Sequence, residues 1–354
     1  MKLGIIIALL LLCTGCWDMK EINQLAIVNL GATDKDPKTK IITAYYQVIN
    51  PSALSNKQSG AKAAIYTFRF QSNNIGKLSD NARMLMPRLL FMPHMQSLIV
   101  SERYARQGIM DLINFYEFSP ERRTNVILLV SDSPLSVVMN SFTPLERMPG
   151  RFIRSLTDQS GRGFVSGFEP IRMKDMAKRV DHETPIVIPL IHYTSRTSAD
   201  NTDRLEEANV NKQAIAFIGG AVFLHDVMVG KIDIGTKELY FLLNQQLGNY
   251  IETLTVNGQD VALEIRHVKV KRTLNPRTGL HVSVSVQLRV TNNQQAQPLS
   301  SVTLHEFETA FNRVFAKRAE ALVQLARTKK WDLLGIQDEA GKPDPNWTRT
   351  KVTF

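Results

Sequence analysis

Two cysteines and seven histidines are the residues of this 354-residue chain with the widest chemical reach. Both cysteines lie at the start, in Leu9-Leu10-Leu11-Leu12-Cys13-Thr14-Gly15-Cys16-Trp17-Asp18. A positive residue at Lys2, an apolar stretch from Leu3 to Leu12 broken by Gly4 alone, and the small pair Thr14-Gly15 mark an export signal cut before Cys16. The stretch is far shorter than the roughly 20 apolar residues a membrane-spanning helix needs. A cysteine at a newly exposed N-terminus can carry a diacylglyceryl group, so Cys16 is the expected site of lipid attachment. One acyl chain holds a protein to a bilayer only marginally, and two hold it stably. Cys13 stands three positions before the cut, where such signals usually carry leucine.

No other chemistry is expected. His94, His182, His192, His225, His267, His281 and His305 show no metal-binding spacing with one another or with cysteine. His305-Glu306 lacks the second histidine of a zincin helix. His94, within Met92-Pro93-His94-Met95, is expected to be a hydrogen-bonded structural histidine. Gly161-Arg162-Gly163-Phe164-Val165-Ser166-Gly167 has one residue too many for a dinucleotide loop and follows no strand, and Ser166 lacks the second glycine of a nucleophile elbow. Glu121-Arg122-Arg123 is expected to cap a helix or form surface ion pairs. No catalytic residue, cofactor site or metal site is expected. A hydrolase would need His, Asp and Ser gathered from distant positions.

Removing residues 1–15 from 354 leaves 339, enough for two or three cores, and lowers the formal charge from +10 to +9. Lys and Arg are scattered in runs no longer than two, so nucleic acid is not an expected partner. With Cys13 removed and Cys16 lipidated, no disulfide would remain.

The elements read as an α+β protein. Its N-terminal lobe is mixed α/β, and its C-terminal lobe is an antiparallel sheet covered by a long helix. Strands at 26–31 and 40–48 flank the turn Asp34-Lys35-Asp36-Pro37. A strand at 64–70 and a helix from Leu78, stopped by Pro87, come next. After a strand at 97–100, a helix runs to Phe118, then a strand at 124–130 and a helix capped by Ser133-Pro134. Residues 194–212 read as a linker because 194–203 carry no large apolar residue. A second lobe from Gln213 opens with two strands joined at His225-Asp226, then a helix near 236–246. A meander follows, with a tight turn at Asn257-Gly258. Leu280, Val282, Val284, Val286, Leu288 and Val290 alternate with polar residues, as in a strand with one wet face. Phe307, Phe311, Phe315 and Leu322 lie on one face of the last helix. The expected segments are a signal peptide at 1–15, an N-terminal domain at 16–193, the linker at 194–212 and a C-terminal domain at 213–354.

Cys16-Trp17-Asp18-Met19-Lys20-Glu21-Ile22-Asn23 resembles the mature start of the Ger(x)C lipoproteins, the C subunits of spore nutrient germinant receptors. The likeness continues at Arg88-Leu89, His94, Ile99-Val100, Glu102 and Arg122-Arg123-Thr124. It resumes at Gly220-Ala221-Val222-Phe223, Asp226, Val229 and Gly230, and ends at Asp332-Leu333-Leu334-Gly335-Ile336 and Trp347. The resemblance implies a non-enzymatic receptor subunit on the outer face of the spore inner membrane, working with integral-membrane A and B subunits. It also implies an α+β fold of three domains, which would divide the N-terminal lobe. The chain stops soon after Trp347, where family members continue through a further strand, so an unfilled edge of the C-terminal sheet is expected. The alternative is a solute-binding lipoprotein of an importer, with two βα lobes around a cleft.

Overall fold

A computed structural model describes residues 21–50, 64–141, 148–160, 170–194, 215–244, 250–275, 279–293, 299–337 and 350–354. Cys16, the glycine-rich loop at 161–167, most of the linker and Trp347 lie outside them.

Four parallel strands form the centre of a large sheet. They are β1 (Leu25–Lys35), β5 (Ser97–Ser101), β6 (Ile127–Ser131) and β7 (Ile186–Tyr193). On one side β2 (Ile42–Ile49) and β3 (Ile65–Ser72) add as antiparallel hairpins, and the short β4 (Leu89–Phe91) lies beside the start of β1. On the other side stand β8 (Ile215–Leu224) and β9 (Val227–Asp233), giving the order β3-β2-β1-β5-β6-β7-β8-β9. Every residue of β5 and β6 is buried, as a parallel strand covered on both faces requires. Successive side chains serve opposite faces. Leu98, Val100, Leu128 and Val130 pack under helices α2 (Glu102–Ala105), α3 (Met110–Glu117) and α6 (Met173–Arg179). Ile99, Leu129 and Ile191 pack under α4 (Leu135–Met139) and α5 (Pro149–Ser160). Helix α1 (Leu78–Leu85) ends at Met86, just before Pro87.

Three local expectations are corrected. The helix expected to run to Phe118 is broken between α2 and α3 at Gly108, whose φ of +93° suits glycine; a Cβ there would lie 2.6 Å from Asp226 Oδ2. Ser133 is not a helix cap, because its hydroxyl is engaged elsewhere (below). His94 is exposed rather than enclosed, its ring 5.4 Å from that of Phe91.

The strands that follow the linker do not start a separate sheet. β8 pairs antiparallel with β7 through Ile186–Phe223 and Tyr193–Ile215, so the chain returns to the first sheet before leaving it. Helix α7 (Ile234–Leu243) then leads to the meander of β10 (Tyr250–Val256), β11 (Gln259–Asn275) and β12 (Gly279–Asn293). Leu280, Val282 and Val284 are buried beneath α8 (Ser301–Lys329), which contributes Phe307, Phe311 and Phe315. The rings of Phe311 and Phe315 stack at 4.2 Å. The sheet edge expected to be bare carries β13 (Lys351–Thr353), parallel to β12. One apolar cluster runs from Val187, Val222 and Ile232 of the large sheet, through α7, to the meander.

Lys237 of α7 lies fully buried. Burial lowers its pKa from 10.5 to about 8, against the opposing pull of Glu238. Between those two values the unfolded chain holds more protons than the folded one, so this group makes stability rise with pH across that window; below about pH 8 the full penalty is present. Lys237→Met keeps the stem and removes the charge. It is expected to raise stability by up to ~3 kcal/mol at neutral pH and to flatten the alkaline rise, as read from denaturant midpoints at several pH values.

Candidate functional site

The loop after β5 turns to one face of the sheet and the loop after β6 to the other. The divergence opens a crevice at the carboxyl ends of the parallel strands, where open α/β sheets commonly bind ligands. A cleft of about 590 Å³ lies there, lined by Asp34, Ser101, Glu102, Arg103 and residues 131–136, among others. Its charges are bound to one another. Asp34 accepts from Ser101 Oγ at 2.5 Å and from Arg103 Nε at 2.7 Å, with a second close contact to Arg103 Nη2. That hydrogen bonding pushes the Arg103 guanidinium above its usual pKa. Glu102 pairs with Arg106 at 2.7 Å and with Lys231 at 2.5 Å, so α2 and β9 are tied across the sheet.

Parallel pairing of β6 with β7 brings together a set that sequence reasoning left scattered: Asp132, Ser133 and His192. His192 Nδ1 lies 2.7 Å from Asp132 Oδ1 and 3.2 Å from Ser133 Oγ. Ser133 Oγ donates to Asp132 at 3.1 Å and accepts from the Tyr193 backbone N–H at 2.9 Å. In a nucleophilic relay the acid and the nucleophile occupy opposite ring nitrogens of the histidine. Here both meet Nδ1, and the hydroxyl also donates to the carboxylate. The cluster ties strand ends together and lacks the geometry of a hydrolase triad. No group of three or more metal-ligating side chains occurs among the described residues.

The residues behind the family resemblance have structural work. Asp226, at the β8–β9 turn, accepts the Met110 N–H on its carboxylate at 3.0 Å and the Ile109 N–H on its carbonyl at 3.1 Å, fixing the start of α3. The Arg122 guanidinium lies 3.7 Å from the centre of the Phe115 ring and donates to Ser79 at 2.9 Å. Gly230 leaves room for the Trp331 ring, whose nearest atom would be 2.3 Å from a Cβ there. The segment after Trp331 is also bound. Asp332 accepts from the Gln337 N–H at 2.7 Å, Leu333 O accepts from Asn244 at 3.2 Å, and Leu334 O accepts from Arg272. These residues join the two sheets.

A family model for the spore germination protein N-terminal domain matches residues 18–193, and one described as spore germination B3/GerAC like, C-terminal, matches 218–353. The chain belongs to the GerAC-like spore germination family. Spore germination protein KC of Bacillus subtilis (strain 168) is 22% identical over 360 residues, covering 96% of this chain and 87% of its own length. Spore germination protein B3 of the same organism is 22% identical over 367 residues, covering 99% and 91%. The crystal structure of the GerBC protein superposes with a TM-score of 0.55 at 14% identity, covering 91% of this chain and 94% of that one. The GerAC-like architecture therefore accounts for the α+β reading. An importer-type pair of βα lobes is not favoured, because the second lobe is an antiparallel meander under one helix.

Proposed function

We propose that this chain is a lipid-anchored, non-enzymatic subunit of a spore germinant receptor. Cys16 carries the lipid, and the chain sits on the outer face of the spore inner membrane. It acts through contacts with integral-membrane A and B subunits, helping a nutrient signal trigger germination. The observation that carries this reading is the placement of two GerAC-type matches, 18–193 and 218–353, directly behind a lipoprotein-type leader. No described helix is long and apolar enough to cross a membrane, which suits attachment through Cys16.

Spores lacking the chain should lose their response to one class of nutrient, measured as loss of refractility, while responses to other classes remain. An unchanged response to every nutrient class tested would contradict the proposal. Ser133→Ala tests the non-enzymatic part. It removes an acceptor for the Tyr193 N–H, a loss of about 1 kcal/mol, and is expected to leave the nutrient response intact. Abolition of the response by a folded Ser133→Ala chain would favour hydrolysis.

A further inference from the structure

The large sheet has two unlike poles. The polar cleft occupies the carboxyl ends of the parallel strands. At the amino ends stand the start of β1, helix α1, strand β4 and the loop before β6. They are neighbours: Arg122 binds Ser79 of α1, and Leu25, Arg83, Leu89 and Arg122 line one shallow pocket. This pole exposes large apolar side chains. Ile22 is 75% exposed, Met84 79%, Leu85 71% and Phe118 82%. Met84 and Leu85 end α1 as exposed side chains, flanked by two exposed arginines, Arg83, which pairs with Asp80 at 3.5 Å, and Arg88.

Apolar side chains beside arginines, as at the end of α1, match a bilayer boundary, where the former enter the headgroup layer and the latter meet anionic lipid. The tether points the same way. Five residues separate Cys16 from Ile22, and the six steps between them reach at most about 20 Å at full extension. The net charge of +9 left after removal of residues 1–15 adds a general attraction to such a surface. We infer that the amino-end pole, presenting Ile22, Met84, Leu85 and Phe118 together with Arg83 and Arg88, lies against the lipid bilayer itself. The inference rests on lipidation of Cys16. It orients the molecule: β1 stands away from the bilayer, and ten residues from Leu25 to Asp34 carry the polar cleft about 30 Å outward. The cleft then faces whatever approaches from the side opposite the membrane.

The test uses the lipidated chain, whose processed form keeps no free thiol. Met84→Cys, Phe118→Cys and Ser136→Cys each receive a fluorophore. The labelled proteins are placed on vesicles of phosphatidylcholine with a minority of phosphatidylglycerol, carrying brominated acyl chains. Labels at 84 and 118 are expected to lose roughly half or more of their emission, because an interfacial segment sits about 5–10 Å into the boundary. The label at 136, exposed beside the cleft, should be unaffected. Vesicle-bound protein with 84 and 118 no more quenched than 136 overturns the inference and leaves the anchor standing. Protein that does not stay on the vesicles overturns the anchor, and the inference with it. Shielding of 84 and 118 only after membrane subunits are added overturns it in favour of a protein contact.

Discussion

Cys16→Ala is expected to release nearly all of the chain from the membrane fraction and to impair germination. Each buried methylene of an acyl chain contributes about 0.8 kcal/mol, and a single chain of myristoyl length binds with a constant of only about 10⁴ M⁻¹. Two chains multiply their constants, so losing both removes a hold that surface contacts cannot replace. The only other cysteine, Cys13, lies before the proposed cut. Metabolic labelling with a fatty acid should therefore vanish together with sedimentation. Weak, salt-sensitive residual binding would be the contribution of Arg83, Arg88 and their apolar neighbours. A variant that stayed fully membrane-bound in high salt would show that the chain is held by something other than lipid.

Trp331→Ala is expected to cost ~3–5 kcal/mol, a large part of the roughly 5–15 kcal/mol that keeps a domain folded. Trp331 is 6% exposed and fills the space left by Gly230 of β9, while the residues after it are bound to α7 and β11. Its removal opens a cavity at the joint between the two sheets, where neighbours from two elements cannot collapse together. The denaturant midpoint should fall, and one cooperative transition should remain if the shared core couples both lobes. A loss below about 1 kcal/mol would mean that Trp331 does not join them.

The reasons for these effects were unevenly visible in the residues themselves. The alternation from Leu280 to Val290 and the phenylalanines of α8 declare their elements, because period and burial coincide there. The break at Gly108 does not, since its cause is Asp226, more than a hundred positions later. The return of β8 to β7 is equally hidden: a strand's neighbour across a linker is set by sheet packing, not by its own pattern. The same holds for Asp132, Ser133 and His192, which meet only because two strands pair in parallel. Gly230, Asp226 and the run from Asp332 to Ile336 were legible as family marks. Their work, joining two sheets and fixing a helix start, became visible only in three dimensions. The reading of Cys16 rests on a linear pattern alone, since a leader acts as a signal before any fold exists.

Co-purification from spore membranes tests the central claim most directly. A tagged chain, extracted from the inner membrane in mild detergent, is predicted to carry two integral-membrane proteins with it. Cys16→Ala should lower their yield. Recovery of the native chain alone, from a membrane fraction in which both subunits are present and extracted, would contradict the account.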